Sequence, residues 1–273
     1  MKPLVPFLLL AVIPFAGCDV PVEDADISYT ERIVVQGVLE PGKPVANIYV
    51  GRTLPLTMLP DQRAAALTDA EVTVLHNGLA HSLVHSSLGL YADSSLIVVS
   101  GDVYEFRARW GGHEALSRTV VPFPVALDSF RFIPDVASGN VGRLDVAGIP
   151  RTSEAYGLKW SMGLQRDSGD YNPFSGNYLV RLVRGRDAVQ SNAPFLSEEG
   201  YLYRRAGPGD TLQIVVFAFD EPFFEYSRSL SESAGNTDLA LDTYFPSVRW
   251  NVTGDGIGMF IGRTISRRTV VLE

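Results

Sequence analysis

Three histidines on one predicted hairpin are the residues whose type and spacing could bind a metal ion. His76, His81 and His85 flank the pair Asn77-Gly78, a strong hairpin signal because both residues tolerate positive φ. With Asn77-Gly78 as the loop, Val74 faces His81 and His76 faces Leu79, which places the three imidazoles on one face of the hairpin. His81 and His85 are then about 13 Å apart at ~3.4 Å per residue, too far to bind one ion together. Only His76 and His81 could share an ion, so the spacing favours ordinary strand histidines.

Asp220 and Glu221 could form a pair of catalytic carboxylates, as glycosidases require. They directly precede a helical pattern that begins at Pro222, and carboxylates there stabilise the positive end of the helix dipole, which is the simpler interpretation. The chain has no G-x-S-x-G, H-E-x-x-H or Walker motif. In "TGDGIGMFIG", Met259 and Ile261 replace the third glycine of a dinucleotide motif, which predicts a glycine-rich turn or bulge. We therefore predict no catalytic residue, no metal ligand and no cofactor.

Cys18 is the only cysteine, which excludes an intrachain disulfide. It follows a lysine, an apolar run over Leu4–Phe15 and the small pair Ala16-Gly17, the layout of a secretory signal that is too short to span a bilayer. The stretch "FAGC" resembles the lipobox of bacterial lipoproteins, although Phe15 stands where leucine is common. The resemblance implies cleavage after a signal peptide of residues 1–17 and lipid attachment at Cys18. An ordinary signal peptide with an incidental cysteine is the alternative.

Charge and composition limit the partners. The formal net charge is −8 with a pI near 5.1, which opposes binding to nucleic acid because phosphate contacts need clustered basic residues. Residues 18–31 are acidic until Arg32 and predict a flexible tether. This tether is interpreted as a solvated linker, as a surface-export signal next to the lipidated cysteine, or as both.

The remaining chain predicts a mainly β protein. Short alternating strands over residues 32–122, such as "DVYEFRARW", predict an Ig-like or carboxypeptidase-regulatory-like β-sandwich. Pro122 and Pro124 predict a joint to a second antiparallel β-rich domain over residues 123–273. Its strand "DTLQIVVFAF" is apolar on both faces and is expected to be central. Pro222 and Gly235 bound its one predicted helix, near 222–234.

A polar loop, "DSGDYNPFSGNY", carries the candidate recognition residues Tyr171, Asn172, Phe174 and Tyr178. Aromatic side chains on a loop can stack on a ligand or bury at a partner surface. The alternative is that they pack on their own domain. We select this loop as the candidate recognition surface because the flanking strands would hold it in place.

Several stretches together resemble the Bacteroidota lipoprotein family called domain of unknown function 4249. They are the lipobox, "IVVQGVL", "DAEVTVLHNG", "GDVYEFRARW", "FAFDEPFFEYSRSL" and "RWNVTGDGIGMFIG", with Trp250 where a smaller polar residue often stands. The resemblance implies an outer-membrane lipoprotein, commonly associated with TonB-dependent transporters. It transfers no catalytic residue.

We therefore expect a non-enzymatic, surface-exposed lipoprotein of the outer membrane. Its lipid anchor would hold it at the membrane, where it would act as accessory or substrate-capturing partner of a TonB-dependent transporter. A structural or adhesive envelope protein is the first alternative. A hydrolase assembled from scattered residues is the second.

Overall fold

The chain folds mainly into β-strands, as its alternating apolar and polar residues predict. The computed structural model describes residues 29–55, 57–135, 141–162, 172–174, 181–187, 196–201, 207–235 and 248–273. The strands within these ranges are β1 Ile33–Leu39, β2 Pro44–Arg52, β3 Glu71–His76, β4 Leu79–Ser87, β5 Leu90–Ile97, β6 Val103–Trp110, β7 His113–Val120, β8 Phe130–Asp135, β9 Val141–Val146, β10 Ala155–Met162, β11 Leu182–Arg184, β12 Leu196–Tyr201, β13 Thr211–Phe219, β14 Thr253–Gly254 and β15 Gly256–Val271. The helices are α1 Gln62–Ala65 and α2 Glu221–Gly235.

One long strand, β15, holds the largest sheet together. The sheet has the order β11-β10-β13-β15-β1-β2-β5-β4-β3-β6-β7-β14. The first half of β15 pairs in parallel with β1, with Ile33 opposite Gly256. Its second half pairs antiparallel with β13, with Phe219 opposite Arg263. The strands from both ends of the sequence are therefore neighbours in the centre of the sheet.

The N-terminal part of this sheet curls around its own hydrophobic core. β7 contacts β15, so the curled sheet encloses side chains from both of its halves. In β6, Tyr104, Phe106 and Ala108 are buried while Glu105 and Arg109 are exposed, which confirms the predicted one-sided strand. The hairpin register, with His76 opposite Leu79, is also confirmed, and Asn77 and Gly78 both have positive φ.

A second core lies between β10, β13 and a separate three-stranded sheet of order β12-β9-β8. Phe132 of β8 contacts Trp160 of β10 edge-on, with ring centroids 5.3 Å apart. The indole Nε1 of Trp160 also donates to the Glu198 carbonyl of β12 at 3.0 Å. β13 is buried on both faces, as predicted from its continuous apolar run.

Helix α2 covers the opposite face of β13 and β15. Phe223 stacks on Phe219 with ring centroids 4.3 Å apart, and both are part of a third hydrophobic cluster with Met259 and Ile261. The helix begins directly after Asp220, which confirms the predicted helix and its acidic start. The fold is thus mainly β, and the described part of its C-terminal half contains one long helix.

Two features of the fold were not predicted: the parallel pairing of β1 with β15, and the four-residue helix α1. Residues Glu31–Glu273 form one compact unit. The predicted boundary between 122 and 123 stays a prediction, and the signal peptide, Cys18 and most of the tether lie outside the described residues. Neither α1 nor α2 combines the length and apolar character that a membrane-crossing helix needs, and this holds for the described residues alone.

Candidate functional site

A cavity of about 1030 Å³ lies on the outer face of β1 and β2. The floor comes from these strands, one wall from the segment between β2 and β3, and another wall from residues 172–174. Strand alternation explains the floor: Ile33 and Val35 point into the curled core, so Gln36 and Val38, which line the cavity, face outward nearby. Gln36 stands directly opposite Tyr49 in the antiparallel β1–β2 pair.

The ring of Tyr49 rests on two glycines at the cavity floor. A Cβ built on Gly51 would lie 2.7 Å from Cζ of Tyr49, and one on Gly89 would lie 3.1 Å from its Cε2. Larger residues at either position would displace the ring. Tyr49 is half-buried, and burial raises the pKa of its hydroxyl. The side chain is therefore a fixed, uncharged aromatic surface that also lines the cavity.

A charged cluster of Glu40, Lys43 and Arg263 forms one corner of the cavity. Glu40 Oε1 accepts from Nε of Arg263 at 2.9 Å and also from its Nη2, while Oε2 pairs with Lys43. The side chains of Glu40 and Arg263 are 12% and 9% exposed, whereas Lys43 is mostly exposed. Burial opposes the ionisation of Glu40, but the bonds and charges of Lys43 and Arg263 outweigh it and hold the pKa of Glu40 below its ordinary value.

The segment between β2 and β3 forms an apolar rim. The lining side chains from this segment include Leu54, Pro55, Met58 and Pro60. Helix α1 follows, capped by Asp61, whose carboxylate accepts from the Arg63 N–H at 2.9 Å. Farther along, the Leu67 N–H donates to the Val50 carbonyl at 3.1 Å, which ties the segment back to the sheet.

The turn Asn172–Phe174 forms another part of the cavity wall. The Asn172 side-chain oxygen accepts from the Phe174 N–H at 2.9 Å, an Asx turn around Pro173. Phe174 also packs against the third hydrophobic cluster, beside Val38. Of the four predicted recognition residues, Asn172 and Phe174 therefore line the cavity, whereas Tyr171 and Tyr178 lie outside the described residues. Their role in recognition stays a prediction.

A bulge in β2 adds a polar edge to the cavity. The pairing of β2 with β5 shifts register between Val45 and Ile48, and Asn47 adopts φ 57° there. Exposed Asn47 joins Gln36, Gln62 and Asn172 on the cavity wall, so carboxamides reach the cavity from four segments.

None of the three hairpin histidines is among the residues that line this cavity, and each has its own partner. His76 Nε2 lies 2.7 Å from an Asp102 carboxylate oxygen, and His81 Nδ1 lies 3.3 Å from one of Asp93. His85 Nε2 accepts from the Gly89 N–H at 3.3 Å. Across the described ranges, no group of three or more His, Cys, Asp or Glu residues is placed to hold a metal ion.

Asp220 and Glu221 point to different partners. The buried Asp220 carboxylate accepts from the Thr119 hydroxyl, while its Oδ1 has no hydrogen-bond partner within the part of the chain that the structure describes. Burial raises the pKa of Asp220 to about 7, against the opposing hydrogen bond from Thr119 and backbone N–H groups. Glu221 instead pairs with Arg186 at 3.0 Å on the surface. The geometry is that of a helix start rather than of two acids flanking one substrate.

The glycine-rich stretch forms the turn and irregular strand predicted for it. Gly254 has φ 79° at the turn before β15, and Gly258 has φ 122° within β15. A Cβ on Gly258 would overlap the Val35 carbonyl oxygen of the paired strand β1. Glycine is therefore required here for close strand approach, not for phosphate binding.

Sequence reasoning missed most of the cavity. Glu40 and Arg263 are 223 residues apart, and no local pattern connects them. In the sequence, Tyr49 resembles any other strand residue. The contact of its ring with Gly51 and Gly89 is seen only in the structure, where β2 and the β4–β5 turn are adjacent. The parallel pairing of β1 with β15, had it been predicted, would have brought Glu40 close to Arg263.

Comparison with known proteins places the chain in a family. The chain belongs to the family described as Domain of unknown function (DUF4249), which matches residues 19–267. No curated protein matches the chain. Among solved structures, it is similar to a two fibronectin type-III domain segment from chicken tenascin, with 10% identity and a TM-score of 0.20, over 68% of this chain and 88% of that one. At this TM-score the similarity adds nothing to the fold described above.

Proposed function

We propose that this member of the DUF4249 family is a lipid-anchored, surface-exposed protein that captures a ligand for an outer-membrane TonB-dependent transporter. The observation that carries the proposal is the cavity on the β1–β2 face. Its size suits a small ligand, and it combines an apolar rim with a few converging polar groups, as binding sites commonly do.

The proposed anchor explains how a weak contact with a transporter would suffice. A lipid on Cys18 and the acidic tether up to residue 31 would let the folded part pivot over a channel in the same membrane. Sharing one membrane raises the effective concentration of the two proteins toward each other without a large interface. The Cys18→Ser variant is expected to move from the membrane to the soluble fraction, and intact mass is expected to show acyl groups on the wild type alone.

The partner is tested by extraction in mild detergent followed by affinity purification of the full chain. We expect a TonB-dependent transporter to be recovered with the wild type. Replacement of Tyr171, Phe174 and Tyr178 by alanine is expected to weaken recovery, because loss of an aromatic anchor typically costs on the order of 2 kcal/mol. Leu79→Ala, an exposed residue outside the cavity lining, is the matched control.

One result would count against this function, and a second would count against the recognition loop alone. Recovery of no transporter, together with hydrolysis of a glycan or peptide by the purified protein, would favour the hydrolase. Unchanged recovery with the triple variant would reject the loop as the contact and leave the partnership standing.

A further inference from the structure

The charged side chains on the described part of the cavity wall are equal in number of acids and bases. Among the residues that the structure describes, the lining contains two acids, Glu40 and Asp61, and two bases, Lys43 and Arg263. Glu40 is bound by both bases, and the Asp61 carboxylate caps α1. A buried charge on a ligand would need an opposing charge that is not already engaged in this way. The described part of the wall therefore suits a ligand without net charge better than an acid or an amine.

The uncharged polar groups of the wall match peptide groups. A carboxamide offers two N–H donors and a carbonyl acceptor in one plane, and a peptide unit offers the complementary acceptor and donor. Gln36, Asn47 and Gln62 are exposed carboxamides on β1, on the bulge of β2 and on α1. Asn172 adds a fourth, although its oxygen already accepts from Phe174. These groups come from four separate segments of the wall, so they could bind successive units of an extended ligand.

The apolar part of the wall is suited to contact apolar side chains of an extended peptide ligand. Met58 is 47% exposed at the rim, with Leu54, Pro55 and Pro60 beside it. Phe174 and Tyr49, whose ring is supported by two glycines, add aromatic surface to the same lining. Leucine, proline and aromatic side chains of the ligand would bury apolar surface against these residues. Each Å² of apolar surface buried stabilises binding by about 25 cal/mol.

We propose that the cavity binds a short, extended, uncharged peptide whose side chains are mainly apolar. Carboxamides bind its backbone, and the aliphatic and aromatic walls take its side chains. A saccharide would use the carboxamides but would leave the apolar rim of Leu54, Pro55 and Met58 against hydroxyl groups. A fatty acid would use the rim but would leave the carboxamides without partners. This inference rests on the capture function proposed above and names the ligand class.

The test uses the full chain in mild detergent and a pool of acetylated, amidated tetrapeptides built from Ala, Leu, Met, Phe, Pro and Tyr. Peptides that co-elute with the protein in size exclusion are identified by mass spectrometry. Maltotetraose and dodecanoate are run in parallel. We expect a subset of peptides to be retained by the wild type, and retention to fall about fivefold or more with Gln36→Ala or Met58→Ala.

Both substitutions are at exposed positions, so unchanged melting temperatures are expected to show that the fold is intact. Leu79→Ala, also exposed but outside the cavity, is expected to retain the same peptides as the wild type. Retention that is unaffected by Gln36→Ala and Met58→Ala would overturn the assignment of the peptide to this cavity.

The other outcomes separate the ligand class from the capture function. Gln36-dependent retention of maltotetraose or dodecanoate without any peptide would overturn the peptide proposal and leave capture by the cavity intact. Retention of no probe would overturn the peptide proposal and remove the support for capture. Peptide retention without recovery of a transporter would support the ligand class and overturn the partnership.

Discussion

Asp220 links folding to the uptake of a proton. Its pKa of about 7 in the folded protein arises from burial, whereas the unfolded chain has the ordinary carboxyl value. Between these values the folded state holds a proton that the unfolded state releases. Stability from this group is therefore fully present below about pH 4 and is lost as pH rises through about 7.

We predict that Asp220→Asn removes this pH dependence. From pH 5 to pH 8, the free energy of unfolding of the wild type is expected to fall relative to the variant by roughly 2 to 3 kcal/mol. Urea unfolding at three pH values in this range measures the difference. Asp128→Asn, at an exposed position, is the control and is expected to follow the wild type. Parallel pH profiles for wild type and Asp220→Asn would contradict a raised pKa.

Glu40 is expected to stabilise the fold as well as shape the cavity. Glu40→Gln leaves the largely buried Arg263 without its carboxylate, and breaking such a pair from one side costs about 3 kcal/mol. Lys43→Gln removes the exposed base from the same carboxylate and is expected to cost about 1 kcal/mol or less. Chemical denaturation of the two variants compares these costs. Equal effects would mean that the Glu40–Arg263 pair is not the dominant contact.

Among the secondary-structure elements, β15 is the one on which both main cores depend. Its Phe260 is part of the first core, and Val270 packs against the second. Its approach to β1 requires Gly258, where a side chain would meet the Val35 carbonyl. Loss of this pairing would separate the strands at the two ends of the sequence.

Gly258→Ala is therefore predicted to destabilise the protein by about 3 kcal/mol or more, because the strain of φ 122° adds to a steric overlap with β1. Gly112→Ala is the matched control. Its φ is also positive, at 87°, but no atom lies within 4 Å of the added Cβ, so a cost of about 1 to 2 kcal/mol is expected. Thermal unfolding distinguishes the two. A similar loss in both variants would show that backbone strain alone, without the overlap, sets the cost.

The sequence predicts the strands better than their partners. Alternation in β6 and the continuous apolar run of β13 identified the faces and the central position correctly, since burial follows side-chain period. The alternation of apolar and polar residues along a strand does not reveal which distant strand pairs with it. The parallel β1–β15 pair was therefore missed. Helix α1 is only four residues long and has no apolar stripe to detect. The cavity draws on segments from Gln36 to Arg263 and therefore had no local signal apart from Asn172 and Phe174.

For the whole molecule, the shared strand predicts how the two β regions respond to cleavage. Phe123 and Pro124 are exposed in a segment without strand structure, so limited proteolysis is expected to nick within 122–127. The N-terminal fragment would still pair through β1 with β15 of the other fragment. The fragments are therefore expected to co-elute in size exclusion and to separate only in denaturant. Separation under native conditions would mean that the two regions are independent domains.

A capture protein that hands its ligand to a channel must turn its cavity toward that channel. The rim of the cavity carries Leu59, which is 87% exposed, next to the lining residue Met58. Leu79, 67% exposed on the β3–β4 hairpin, does not line the cavity. The two positions therefore distinguish a contact through the cavity rim from a contact through another surface.

The most direct measurement is photo-crosslinking in living cells with a benzophenone amino acid placed at position 59 or position 79. We predict that the position 59 variant crosslinks to a TonB-dependent transporter and that the position 79 variant does not. Both variants must reach the membrane in equal amounts, which fractionation checks. Crosslinking to a transporter from position 79 but not from position 59, or to no transporter from either, would contradict capture and delivery through this cavity.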